Sequence, residues 1–99
     1  MLFTQYLQAQ KLAPKTVHRY SVDISLFLAW LNTEQITPHQ FHYNDLIAFI
    51  QHLTDGGMGK RRISQLLSII RHYCSYQIHK KERIDNPAAG LFIKGLNRA

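Results

Sequence analysis

Side chains suited to nucleic-acid binding are concentrated between residues 60 and 79 of the chain. Apolar residues recur there every three or four positions, which predicts an amphipathic helix with one polar face. That face carries small hydroxyls, an amide, an imidazole and guanidinium groups: Arg61, Ser64, Gln65, Ser68, Arg71, His72 and Ser75. No acidic residue lies between Asp55 and Glu82, although a solvated helix of this length normally mixes both charges. Such a face fits the DNA major groove, where Arg and Gln read base edges and cations bind phosphates.

A second polar cluster lies at the start of another predicted helix, over residues 15–33. The free backbone N–H groups of this first turn could also bind a phosphate. The cluster consists of Lys15, Thr16, His18 and Arg19. Across both helices, the side chains expected to contact mainly phosphates are Lys15, Lys60, Arg61, Arg62 and Arg71. Those expected to reach base edges are Thr16, His18, Ser64, Gln65 and Ser68, and Arg19 and His72 complete the candidate DNA-binding set.

The formal charge is distributed unevenly along the chain. The 99 residues contain 12 Lys and Arg against 6 Asp and Glu, which gives a net charge of +6. Residues 1–59 hold three of these bases and four of the acids, a net of −1, whereas residues 60–99 hold nine and two, a net of +7. Clustered cations release counterions when they meet phosphates, so this asymmetry indicates a polyanionic partner. The alternative is a solvated basic face that only keeps the protein soluble.

The residues that could bind a metal or act as nucleophiles do not form a recognisable motif. His39 and His42 fall in a predicted loop, and neither they nor the pair Cys74 and His79 have the spacing of a zinc site. The glycine-rich stretch 55–60 lacks P-loop spacing, and no Gly-x-Ser-x-Gly occurs. Cys74 also falls on the predicted core face, which disfavours nucleophilic reactivity. We therefore expect no catalytic residue, no bound metal and no cofactor in this chain.

Length and composition are those of one small domain spanning residues 1–99. Hydrophobic residues make up 45% of the chain, which excludes a disordered tail. The longest apolar run, Leu26–Leu31, is far shorter than a membrane span, and the first residues do not form a signal peptide. The single cysteine, Cys74, cannot form an internal disulfide, which fits a reducing cytosol. We therefore expect a cytoplasmic protein with no membrane partner, associated with the nucleoid if it binds DNA.

Helical periodicity accounts for most of the chain. The pattern predicts four helices: residues 2–11, residues 15–33, a third that contains Leu46 to Leu53 and stops before Gly56-Gly57, and residues 60–79. Pro14 is compatible with the first turn of the second helix. Asn86-Pro87 begins a brief final turn that Gly90 ends. Because no alternating pattern is long enough for a strand, the predicted fold is an all-α, four-helix bundle with a short extra C-terminal helix.

Three segments resemble the motifs of one protein family. The run Ala13–Tyr20, with Asp23 and Phe27–Leu31 after it, is similar to the S-P-x-T-x-x-x-Y…D…F-L-x-[FW]-L opening of tyrosine recombinases. Residues 57–73 resemble the G-[LM]-x-x-x-x-[IV]-x-x-x-[LI]-S-x-[LI]-R-x-[FY] helix of that family, and Asn86-Pro87-Ala88 resembles its closing N-P-[AT]. The resemblance covers nearly the whole chain and is to the N-terminal core-binding, SAM-like domain of phage integrases and Xer-type recombinases.

The resemblance implies sequence-directed binding of duplex DNA during site-specific recombination. In that family this helical domain and a C-terminal catalytic domain clamp the core recombination site from opposite sides, and its second and fourth helices face the major groove. The catalytic domain supplies the Arg, His and Tyr of the reaction, and the full-length protein forms a tetramer on DNA. No His-x-x-Arg occurs in these 99 residues, so we expect this chain to be non-catalytic and monomeric by itself. We also expect it to be an excised domain or a truncated gene product of a longer recombinase.

The chain departs from the family pattern at two helix starts, and its basic face leaves another interpretation open. Ala13 and Gly59 stand where the family commonly has serine, and neither supplies a hydroxyl to cap the helix that follows. The basic face could also bind an acidic protein, because phosphates and carboxylates both attract cations. The alternative function is therefore a helical protein-interaction module with a basic face for an acidic partner.

Overall fold

The computed structural model describes residues 3–91. Within this range the chain forms no strand and four helices: α1 (Phe3–Ala9), α2 (Pro14–Thr33), α3 (Tyr43–Asp55) and α4 (Lys60–His79). The prediction of an all-α, four-helix fold is confirmed, and α4 has the predicted bounds. Between residues 3 and 91, no helix combines the length and the apolar character that crossing a membrane requires.

Local backbone conformation sets the ends of the other helices. α1 ends at Ala9, two residues before the predicted end, because Lys11 adopts a φ of +62° that a helix cannot contain. Pro14 occupies the first turn of α2, where its missing N–H costs no helical hydrogen bond. Gly57 has a φ of +89° in the connection between α3 and α4. Glycine reaches this conformation without the steric cost that a side chain brings, so the chain reverses direction there.

α4 is the central helix, because it packs against α1, α2 and α3. Its apolar side chains are therefore buried over a wide arc: Ile63, Leu66, Leu67, Ile69, Ile70, Cys74 and Tyr76. Phe27 of α2 contacts Phe41 of the α2–α3 loop and Phe49 of α3 edge to face, with ring centroids 5.0 Å apart in each pair. The packing of the other helices leaves one side of α4 half-buried, and this side carries the predicted polar residues.

The segment after α4 folds back over the α2–α3 loop. Arg83 donates a hydrogen bond to the carbonyl of Phe41 at 2.7 Å, and its guanidinium lies 4.5 Å from the centre of the Phe41 ring. The buried amide of Gln77 donates to the carbonyl of Pro38 at 2.9 Å. The two side chains therefore fix the loop against the end of α4.

The predicted short extra helix takes the form of hydrogen-bonded turns over the residues that the structure describes. Ala89 N–H donates to the carbonyl of Asn86 at 3.1 Å, and Leu91 N–H donates to the carbonyl of Ala88 at 3.2 Å. Pro87 lacks a backbone donor, and too few residues follow it before Gly90 to complete a helix.

Candidate nucleic-acid interface

Four polar side chains connect α2 to α4 along one surface. The Asp23 carboxylate accepts two hydrogen bonds from the Arg62 guanidinium, at 2.7 and 2.9 Å. Arg19, one turn before Asp23 on α2, donates from Nη2 to Oε1 of Gln65 at 2.9 Å. We call this surface the α2–α4 face and define it by Arg19, Asp23, Arg62, Gln65 and Ser68. It unites the two helices on which the sequence predicted the DNA-binding residues.

Asp23 is buried, yet it carries a charge. Only 4% of the residue is exposed, and its hydrogen bonds with Arg62 hold the pKa of the carboxyl below its usual value despite the opposing effect of burial. The positive charges of Arg62 and Arg19 lower the pKa of Asp23 further. The same hydrogen bonds raise the pKa of Arg62. Arg62, predicted to contact phosphates, is therefore already paired with an anion inside the protein.

A cleft lies between α2 and α4 beside this ion pair. Its volume is about 150 Å³, and its lining is Arg19, Tyr20, Gln65, Ser68 and Ile69. The Arg19 side chain is 59% exposed. The cleft thus combines a guanidinium, an amide and a hydroxyl with an aromatic ring and an aliphatic side chain. Hydrogen-bonding groups next to apolar surface can contact both the polar edges of bases and the thymine methyl group.

Exposed cations lie at the starts of both helices. Lys15 is exposed in the first turn of α2, and Lys60 and Arg61 are exposed in the first turn of α4. The imidazole of His18, three residues after Lys15, is also exposed. Within residues 3–91, no acidic side chain forms an ion pair with Lys15, Lys60 or Arg61. Neither helix has a side-chain cap, so the first-turn N–H groups of α2 and α4 add positive potential to these cations.

Arg71 lies at the end of the polar side of α4, and its guanidinium is directed at the chain's own backbone. Its Nη1 donates to the carbonyl of Leu91 at 2.8 Å, and its carbonyl accepts from the Asn86 amide at 3.3 Å. Burial lowers the pKa of Arg71. Arg71 was predicted to bind phosphates, but in this structure it anchors the segment that follows α4.

The remaining candidate residues are half-buried: Thr16, Ser64, Gln65, Ser68 and His72. The His72 ring lies 5.4 Å from the ring of Tyr20, which brings the middle of α4 against the first half of α2. Burial, and secondarily the charge of Arg71, lowers the pKa of His72, so this imidazole is neutral at pH 7. His72 can therefore donate or accept a hydrogen bond, but it does not add a cation.

No arrangement of ligands for a metal ion occurs within residues 3–91, where no three His, Cys, Asp or Glu side chains come together. Cys74 is buried, as the sequence predicted. Burial raises the pKa of its thiol to about 12, so the thiolate form of Cys74 is scarce at neutral pH. Because the thiolate is the reactive form of cysteine, the burial and protonation of Cys74 are those of a core residue.

Sequence reasoning missed three residues of this site: Asp23 on the α2–α4 face, and Tyr20 and Ile69, which line the cleft. Asp23 was part of the family motif but was not identified as a partner of the predicted cations. One signal for Asp23 was present, because it is the single acid of α2 and follows Arg19 by four residues. Its stronger partner, Arg62, is 39 residues away in sequence and could be found only from the packing of α2 on α4.

The chain also matches a known protein family. Residues 1–81 match the family described as phage integrase, N-terminal SAM-like domain. The chain therefore belongs to that family, as the sequence motifs predicted. No solved structure matches the chain significantly.

Curated tyrosine recombinases are among its relatives. The chain is 28% identical over 82 residues to tyrosine recombinase XerD of Pasteurella multocida (strain Pm70), an alignment that covers 83% of this chain and 28% of that protein. It is 24% identical over 91 residues to tyrosine recombinase XerD of Haemophilus influenzae, which covers 92% of this chain and 31% of that protein. The chain thus spans less than a third of the length of these relatives.

Proposed function

We propose that the chain binds duplex DNA as the N-terminal clamp domain of a site-specific tyrosine recombinase, with α2 and α4 facing the major groove. The observation that carries this proposal is the α2–α4 face. It joins the two predicted helices through Arg19 and Gln65, and exposed cations lie at the start of each helix. Membership of the integrase family supports DNA as the polyanion rather than an acidic protein.

The proposal divides the candidate residues of α2 and α4 into side chains that position DNA and side chains that read its sequence. Lys15, Lys60 and Arg61 are exposed and without an acidic partner among residues 3–91, which suits them to phosphates. Phosphate contacts fix the orientation of a protein on the duplex but carry no sequence information. The side chains assigned to base edges are Thr16, His18, Ser64, Gln65 and Ser68. Arg19 is exposed and is also assigned to a phosphate, and His72 stays in the DNA-contacting set. Arg62 and Arg71 instead bond within the protein.

The reaction itself belongs, in this proposal, to another part of the recombinase. The catalytic Arg, His and Tyr side chains would come from a C-terminal domain, and the complete protein would assemble as a tetramer on two DNA sites in the cytoplasm, at the nucleoid. Cys74, the strongest nucleophile type in the chain, supports a non-catalytic domain because it is buried and protonated.

Fluorescence anisotropy of a labelled duplex of random sequence tests the proposal. Lys15, Arg19, Lys60 and Arg61 provide up to four phosphate contacts, so log K should fall with log salt with a slope of about −3 to −4 between about 50 and 200 mM. Changing Lys60 and Arg61 together to Gln should reduce this slope by about 2.

A matched control removes the same two positive charges at the opposite end of α4. Lys80 and Lys81 follow α4 at its other end, about 30 Å from Lys60 by the rise of an α-helix. The double change Lys80→Gln and Lys81→Gln should leave the slope nearly unaltered. Equal losses from both double variants would mean that net charge, not the α2–α4 face, governs binding. If the wild-type chain fails to bind duplex at low salt, a protein partner for the basic face becomes the better interpretation.

A further inference from the structure

Asp23 lies at the centre of a continuous series of polar contacts between α2 and α4. Its side chain is 5% exposed, and Oδ1 and Oδ2 each accept one hydrogen bond from the Arg62 fork. Oδ2 also lies 3.9 Å from Nε of Arg19. Arg19 in turn donates to Oε1 of Gln65. One buried carboxylate therefore orients two guanidinium groups directly and an amide through one of them.

The geometry treats the two arginines differently. Arg62 meets Asp23 with both Nη atoms in a bidentate pair, and 36% of its side chain is exposed. Arg19 meets the same carboxylate only at 3.9 Å, and 59% of its side chain is exposed. A bidentate carboxylate occupies the fork that would otherwise bind a phosphate. The charge of Arg62 is thus balanced by Asp23 within the protein, while Arg19 keeps N–H groups that are exposed to solvent.

The contact with Arg19 also decides which group Gln65 presents. Oε1 of Gln65 accepts the hydrogen bond from Arg19 at 2.9 Å, so the amide Nε2–H groups are left to donate elsewhere. Gln65 lines the cleft between α2 and α4 together with Ser68. An amide donor held in this cleft is suited to an acceptor on a base edge, such as N7 or O6 of guanine.

We infer that Asp23 is a positioning residue of the α2–α4 face, which withholds Arg62 from DNA phosphates and aligns Arg19 and Gln65 for contact with the duplex. The inference rests on the proposed function. It predicts that removal of the carboxylate steepens the salt dependence of duplex binding, because Arg62 is then released to contact DNA. Simple damage to the face would have the opposite effect.

The salt dependence of duplex binding tests this release. Asp23→Asn should steepen the log–log slope for the labelled random duplex by up to about 0.9, since Arg62 gains one phosphate contact. Adding Arg62→Gln to this variant should return the slope to the wild-type value, because the released cation is then absent. Glu34→Gln is the matched control, since it removes one exposed acid after the end of α2 and should leave the slope unchanged.

A measurement on the wild-type chain covers the case in which Asp23→Asn does not fold. The Nε–Hε signals of Arg19, Arg61 and Arg62 can be assigned in ¹H–¹⁵N spectra by single Arg→Lys substitutions. On titration with the random duplex, the Arg19 and Arg61 signals should shift, whereas the Arg62 signal should stay in place. A shift of the Arg62 signal as large as that of Arg61 would overturn the inference.

The outcomes separate this inference from the function on which it rests. Wild-type chain that does not bind the duplex defeats both. Wild-type chain that binds, together with an Asp23→Asn variant that melts at lower temperature but keeps the wild-type slope, defeats the inference alone, because a purely structural ion pair would behave in that way.

Discussion

Replacing Arg83 with methionine is expected to destabilise the fold while leaving the DNA-binding face in place. By sequence, Arg83 belongs to the basic half of the chain, but only 6% of its side chain is exposed. Its guanidinium donates to the carbonyl of Phe41 at 2.7 Å and to Asp85 at 3.0 Å. It also stacks on the Phe41 ring at 4.5 Å. Methionine preserves much of the apolar stem but leaves the carbonyl of Phe41 without this donor.

The magnitude follows from these contacts. A hydrogen bond from a charged donor contributes about 1.5–3 kcal/mol, and a cation–π contact contributes about 0.5–1 kcal/mol. Arg83→Met should therefore lower the free energy of unfolding by roughly 2–4 kcal/mol. For a domain of this size, about 1 kcal/mol corresponds to about 4–8 °C in melting temperature, so the expected fall is roughly 8–32 °C.

Urea unfolding followed by circular dichroism at a helix wavelength measures this change. Lys81→Gln is the control, because Lys81 is an exposed cation on the same segment and its loss should alter stability by less than about 0.5 kcal/mol. Arg83→Lys should fall between the two, since an ammonium keeps the charge but lacks the planar fork. If Arg83→Met were no less stable than Lys81→Gln, the assignment of Arg83 as the residue that fixes the α2–α3 loop would be wrong.

Three ionisable groups give further expectations. The pKa of Asp23 is lower in the folded chain than in the unfolded chain, so its ionised carboxylate stabilises the fold above the unfolded value of about 3.9. This stabilisation is lost as pH falls through the folded pKa. The difference in urea stability between wild type and Asp23→Asn should therefore shrink below about pH 4. The depressed pKa of His72 makes protonation favour unfolding below about pH 6.5, so His72→Gln should flatten the fall in stability towards about pH 5. Cys74, with a pKa of about 12, should resist Ellman's reagent at about pH 8 until urea unfolds the chain, and rapid labelling of the native protein would contradict its buried position.

The helices were predictable because their signals are local. The bounds of α4 follow from apolar periodicity between a glycine-rich connection and a polar segment, and Pro14 marks the first turn of α2. Lys11 gives no such signal, since its positive φ is imposed by the turn between α1 and α2 and lysine has no preference for it. The predicted extra helix depended on Asn86-Pro87, but the carbonyl of Leu91 binds Arg71, a contact that periodicity cannot reveal.

The candidate site was predictable in its helices but not in its pairings. Amphipathic patterns identified the polar sides of α2 and α4, because side-chain direction follows from helical geometry. They gave no information on which cations bind within the protein. Arg62 pairs with Asp23 across 39 residues, and Arg83 bonds to Phe41 across 42, so both depend on tertiary packing. The half-buried state of Gln65 and Ser68 has the same origin, since α4 is covered from three sides.

These pairings change what the charge of the chain predicts for DNA binding. Nine Lys and Arg residues follow position 59, and if all of them met phosphates the salt slope would approach about −8. Three of these nine, Arg62, Arg71 and Arg83, bond within the protein. Lys60 and Arg61 remain exposed at the start of α4, and α2 adds Lys15 and Arg19. A slope of about −3 to −4 would therefore support recognition by the α2–α4 face, whereas a slope near −8 would mean that cations away from this face also contact the DNA.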